Sequence, residues 1–113
     1  MIKEILQEIL KTSGVLGYVY IDTDKNNIVF ELSSDFEGEI LGGLGTSLVG
    51  LLSDISNSIY MGELEEVIVE MRRGRLIINK FDNRILIIIT TKAGNLGTIK
   101  YTLNKVIAKL REI

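Results

Sequence analysis

Gly42-Gly43-Leu44-Gly45-Thr46-Ser47 has the composition of a loop that cradles phosphates. Such a loop needs a closing Gly-Lys-Ser/Thr, because the lysine reaches the outer phosphates and the hydroxyl holds magnesium. Both are missing, and these glycines fall inside a helical pattern instead of ahead of one. Gly43, Gly45 and Leu48 also miss the third glycine of a dinucleotide fingerprint. Asp22-Thr23-Asp24-Lys25-Asn26 matches the first ligand positions of a calcium loop, but Asn27 stands where glycine is needed and Ser33 where the closing glutamate belongs. It reads as a turn, with Asp and Asn side chains bonding to their own backbone. Glu63, Glu65 and Glu66 sit near a strand start with solvent at hand, where nothing shifts a carboxylate toward acid/base work. The chain contains no Cys and no His. A thiol nucleophile, an imidazole base and the usual zinc ligands are thereby excluded. No catalytic residue, metal or cofactor is expected.

The elements around these residues fit one domain, 1–113. Of 113 residues, 46% are hydrophobic and 25% charged, the balance of a packed protein. The net charge of −2 gives no general attraction for nucleic acid or acidic membranes. Charges interrupt the first eight residues where a signal peptide needs an apolar run, and the uncharged stretch from Ile40 to Ser53 is too short to insert into a bilayer. The expected location is cytoplasmic.

Ile2, Ile5, Leu6, Ile9 and Leu10 follow helical spacing, so the first element is an amphipathic helix over Ile2 to Thr12, closed by Ser13-Gly14. Val15 to Ile21 and Asn27 to Leu32 form a hairpin. A long helix spans Phe36 to Ile59. Leu64 to Met71, Arg75 to Lys80 and Arg84 to Thr91 form an antiparallel meander. Asn95 caps a last helix with apolar positions Leu96, Ile99, Leu103, Val106, Ile107 and Leu110. Ile85 to Ile89 is apolar throughout, as a central strand covered on both faces would be. The expected architecture is an α/β (α+β) three-layer sandwich in the order α-β-β-α-β-β-β-α.

The middle helix is unlike a surface helix. Ile40, Leu41, Leu44, Leu48, Leu51, Leu52, Ile55 and Ile59 fall within one arc of about 120° and are expected to face the core. Opposite them lie Gly38, Gly42, Gly45, Val49, Ser53, Ser56 and Tyr60, and Asp54 is the only charge from Ile40 to Gly62. Interior glycines cost about 1 kcal/mol each against alanine, so they need a reason. Close approach of a second copy supplies one, which places Gly42, Gly45, Val49, Ser53 and Ser56 at a dimer interface. The strand after this helix, with Glu66, Val67, Ile68, Val69 and Glu70, has no proline or lysine to blunt an open edge and is expected to pair with its mate. Residues 1–70 hold thirteen acids against three bases, and 71–113 two against ten. Arg72 and Arg73 cluster with Arg75 at one hairpin tip as a partner-binding candidate; the cations of the last helix suit its own dipole.

Taken together, the order of elements, the helix end at Ser13-Gly14-Val15, the Asp22/Asp24 hairpin tip, the glycine-rich middle helix, the strand Glu63 to Glu70 and the opening Lys92-Ala93-Gly94-Asn95-Leu96-Gly97 of the last helix resemble the roadblock/dynein light chain family. The resemblance covers nearly the whole chain. It implies a five-stranded antiparallel sheet with one long helix on one face and two helices on the other, and a dimer joined through the strand after the middle helix and through the middle helices themselves. It further implies a docking or regulatory platform for a Ras-like small GTPase, acting without a catalytic arginine of its own. The expected function is therefore a non-enzymatic homodimeric platform. A purely structural adaptor of a motor or membrane-associated scaffold, possible also as a heterodimer, is the alternative; a small-molecule sensor or enzyme of similar build would need an enclosed polar pocket.

Overall fold

The computed structural model describes residues 1–33 and 36–113. Its elements run α1 (Ile2–Leu10), β1 (Val15–Asp22), β2 (Asn27–Glu31), α2 (Gly38–Ser58), β3 (Glu66–Glu70), β4 (Gly74–Phe81), β5 (Arg84–Thr91) and α3 (Leu96–Arg111). The strands form one antiparallel sheet in the order β2-β1-β5-β4-β3. The all-apolar strand β5 is central, as its composition requires.

Strand alternation divides the sheet into two faces. Tyr18 and Tyr20 of β1, Ile77 of β4, and Leu86 and Ile88 of β5 point to one side. There Leu6 and Ile9 of α1 and Ile99, Leu103, Val106 and Leu110 of α3 close the larger core. Val19, Ile78, Ile85 and Ile87 point to the other side and meet Val49 of α2, with Leu41, Leu48, Leu64 and Val67 packed around them. The three layers and the division of one helix against two are as the sequence led us to expect.

Local signals explain the joints. Gly14, at φ +91°, ends the turn after α1 in a conformation that side chains disfavour. Asp22 Oδ1 accepts from the backbone N–H of Asp24 and Lys25, and Asp24 Oδ2 accepts from Asn83 Nδ2 at 2.8 Å. Those carboxylates hold a turn. Asn95 Oδ1 accepts from Thr98 N at 2.9 Å and caps α3. Four elements are shorter than expected: α1 ends at Leu10 and β2 at Glu31, α2 spans Gly38–Ser58, and β3 contracts to Glu66–Glu70, with Glu65 joined to β4 through the bond from Lys80 N to Glu65 O.

Candidate functional site

The two faces of α2 are the reverse of the sequence assignment. Gly38, Gly42, Gly45 and Val49 are buried beneath the helix, against its own sheet. A Cβ on Gly38 would lie 2.5 Å from the Phe30 ring, and one on Gly42 would lie 2.8 Å from Ile28 Cδ1. A Cβ on Gly45 would collide with Ile87 Cδ1. Gly42, Gly45 and Val49 are thus turned away from any second copy. Ser53 and Ser56 lie half-buried on the same side; Ser56 Oγ donates to Gly62 O at 2.5 Å and fastens the chain leaving α2.

The cause is the volume of the sheet face beneath. Val19, Ile21, Ile28, Phe30, Ile85 and Ile87 already supply bulk there, so the helix fits only by presenting small residues. The large side chains are left outside. Ile40, Leu44, Leu51, Ile55 and Ile59, five members of the expected core stripe, are 55–65% exposed, and Leu41, Leu48 and Leu52 at its margin are half-buried. The apolar ridge continues past the helix into Tyr60, 93% exposed at φ +57°, and Met61. Beside the ridge, Gly43 and Gly50 have open space where a Cβ would stand. A contiguous apolar stripe on a helix exterior marks a contact surface.

β3 is a second candidate contact feature. Among the described residues it pairs only with β4, so its other edge is open. Val67 and Val69 point toward the α2 side, and Glu66, Ile68 and Glu70 toward the α1/α3 side, as their β4 partners require. Ile68 is 36% exposed. Glu66 is held by Lys100 at 3.0 Å, and Glu70 by Arg75 at 2.8 Å and Lys92 at 2.6 Å. The Lys92 and then the Arg75 hydrogen bonds hold the Glu70 carboxyl below its ordinary pKa. Arg72 and Arg73 form the exposed tip of the β3–β4 hairpin, closed by Met71 N donating to Gly74 O at 2.9 Å. The α2 ridge and the β3 edge are thus two candidate contact features, linked through the core cluster that Val49 and Val67 share, and the sequence assigns the first of them to the wrong side of the helix. The alternation of burial could have exposed the error: a sheet made of Ile, Val and Phe leaves no room for a second bulky layer.

Other concavities hold less chemistry. A groove of about 760 Å³ between the start of β3 and α3 is lined by Glu63, Glu66, Asn79, Lys80, Lys100 and Arg111. Lys100 is engaged by Glu66 and Arg111 by Asp82 at 3.9 Å, while Lys80 Nζ donates to the Asp82 carbonyl at 3.3 Å. Among the described residues no cluster of three or more acidic side chains is arranged to hold a metal, and no helix is long and apolar enough to cross a membrane.

No family model matches the sequence. The chain is similar to two uncharacterized proteins of Methanocaldococcus jannaschii, each 27% identical over 111 residues that span 98% of this chain and 97% of the relative. Among solved structures it is similar to a Roadblock/LC7 domain from Streptomyces avermitilis, with a TM-score of 0.82 at 14% identity over 94% of this chain and 90% of that one. MglB of Myxococcus xanthus also gives a TM-score of 0.82, at 12% identity over 96% of this chain and 87% of that one. At such identities the likeness lies in architecture: a helix pair on one sheet face, a single helix on the other, and five antiparallel strands between them. The chain has the roadblock/LC7 fold.

Proposed function

We propose that this chain is a homodimeric docking platform for a Ras-like small GTPase, built from two copies of α2 and β3. One observation carries the reading: a protomer that buries the small residues of its central helix and exposes the large ones, in a fold whose last sheet strand, β3, has a bare edge. Two copies joined along β3 set their α2 helices side by side on one face, with Ile40, Leu44, Leu51, Ile55 and Ile59 shared between the helix–helix contact and the partner. Gly43 and Gly50 allow the second helix to come close. The roadblock resemblance supports the partner class, and the exposed Arg72 and Arg73 give a second point of contact. The platform contributes no catalytic residue. It acts by binding one nucleotide state of the GTPase more tightly than the other, since a partner moves an equilibrium only by that difference.

The test has two parts. Light scattering should give twice the protomer mass. Titration with the Ras-like GTPases of the same organism, loaded with GDP or with a non-hydrolysable GTP analogue, should give unequal affinities for at least one of them. A monomer at high concentration overturns the dimer, and negligible binding in both nucleotide states overturns the GTPase platform.

A further inference from the structure

We propose that the groove between α3 and the start of β3 binds a free amino acid with a second cationic group, of the lysine or arginine class. The site lies within one protomer and stands apart from the platform reading.

Asn79 anchors it. On β4 this residue alternates with Ile77 and Phe81 on the sheet face covered by α1 and α3, where both neighbours are core residues. Asn79 is only 7% exposed, and its Nδ2 has no hydrogen-bond partner among the described residues. Glu66 stands directly opposite in the β3–β4 ladder, but Lys100 holds its carboxylate at 3.0 Å. A buried donor left unpaired bears its full desolvation cost, which a leucine at the same position would avoid. The protomer gains nothing from this amide. A ligand acceptor in the groove that Asn79 lines would complete it.

The charges of the groove define that ligand. Its bases are Lys80, Lys100 and Arg111; its acids are Glu63, Glu65, Glu66 and Asp82. Lys100 and Glu66 satisfy each other. Lys80 Nζ has only the Asp82 carbonyl, at 3.3 Å. Arg111 rests over the Phe81 ring, 5.7 Å from its centroid, and reaches Asp82 only at 3.9 Å. Among the described residues Glu63, Glu65 and Lys80 form no ion pair. A simple anion would meet Glu63 and Glu65, and a simple cation would leave Asn79 and Lys80 without an acceptor.

A zwitterion answers both, and a second cationic group balances the excess of four acids over three bases in the lining. Its carboxylate accepts from Asn79 Nδ2 and Lys80 Nζ, and its cationic groups donate to Glu63 and Glu65. The backbone sets these groups side by side: Asn79 faces Glu66, and Lys80 N donates to Glu65 O. Phe81 and Ile107 offer apolar surface to the methylenes of the ligand. The volume of about 760 Å³ is that of a small-molecule site.

Calorimetric titration with L-arginine, L-lysine and agmatine, which is arginine without its carboxylate, tests the assignment. At least one of the two amino acids should bind the parent protein with a Kd below about 1 mM, and agmatine about tenfold or more weaker than L-arginine. Asn79→Leu should melt at or above the parent temperature, lose about tenfold or more in affinity for the amino acids, and bind agmatine as the parent does. Glu63 and Glu65 are exposed, so Glu63→Gln/Glu65→Gln keeps the fold; it should weaken all three ligands. Absence of binding by both amino acids up to about 10 mM overturns the site. Agmatine bound as tightly as L-arginine, or undiminished L-arginine binding in a folded Asn79→Leu, overturns the place of the carboxylate at Asn79. Unchanged affinities in the double glutamine variant overturn the role of the two acids.

Discussion

Leu44 and Gly45 are neighbours in sequence, yet replacement of each by glutamate should produce opposite failures. Leu44 is 65% exposed on the ridge of α2. Complete burial of a leucine is worth roughly 1.5–3 kcal/mol, so covering its exposed part is worth about 1–2 kcal/mol per copy. A two-fold interface counts it twice. Leu44→Glu should therefore weaken the dimer by about 2–4 kcal/mol, which is roughly 30- to 1,000-fold in Kd, and leave a folded monomer. At Gly45 the first added carbon already meets Ile87. The tip of Ile87 can rotate away from an alanine, and the gain of about 1 kcal/mol in helix propensity offsets part of that strain. A glutamate must also force its methylenes and carboxylate between α2 and β5. Overpacking costs about 1–3 kcal/mol, and a buried unpaired charge several more, against a total stability of about 5–15 kcal/mol. Gly45→Glu should lose cooperative unfolding or melt far below the parent. Circular dichroism melts and light scattering at one protein concentration separate the two outcomes. A well-folded, monomeric Gly45→Glu with an unchanged melt, or an unfolded Leu44→Glu, would refute the orientation of α2.

Acid should loosen the protomer through two surface carboxylates. Glu70 is held by Lys92 and Arg75, and Glu8 by a hydrogen bond from Lys109 at 2.6 Å that ties α1 to α3; both pKa values are lowered from 4.5. A depressed folded pKa gives stability that is complete above the unfolded value and lost as the pH falls through the folded one. The urea midpoint should drop below about pH 4.5, and Glu8→Gln with Glu70→Gln should flatten that acid limb; an equally steep limb in the double variant would contradict the assignment. Tyr18 is fully buried, and its hydroxyl has no hydrogen-bond partner among the described residues. Burial, then the charge of Glu31, push its pKa up. Tyr18→Phe removes an unpaired polar group and keeps the packing, so it should melt at or above the parent temperature. A fall of several degrees would show that the hydroxyl is bonded after all.

Much of the architecture was legible because local and long-range signals agree. Ile85–Ile89 has no polar position and can only be a central strand; Asn95 and Gly14 mark helix ends by chemistry that works wherever the rest of the chain lies. The faces of α2 were not legible in the same way. Helical spacing separates a bulky stripe from a small one, but which stripe is inside depends on what the sheet already fills, and that is a sum over β1, β2 and β5. Treating hydrophobicity as burial gave the wrong answer for Ile40 and Leu44 because it ignored volume. The open edge at Glu66–Glu70 was visible in its alternation and in its lack of blunting residues, whereas two partners of its glutamates, Lys92 and Lys100, lie too far along the chain for spacing to reveal them.

The two sets of glycines in α2 have one physical consequence between them. Gly42 and Gly45 let the helix sink onto Ile28 and Ile87, so the protomer closes its second core with Val49 and the half-buried Leu41 and Leu48 and has no need of the outer ridge. Gly43 and Gly50 open onto solvent beside that ridge, where they add nothing to the protomer and weaken the helix by about 1 kcal/mol each against alanine. A chain selected only for its own stability would carry alanine or lysine there. Retaining glycine on the outside makes sense if another backbone approaches closely. Gly43→Ala with Gly50→Ala should accordingly raise the stability of the isolated protomer while weakening self-association. Stability and association that rise together would show that the outer glycines serve no contact.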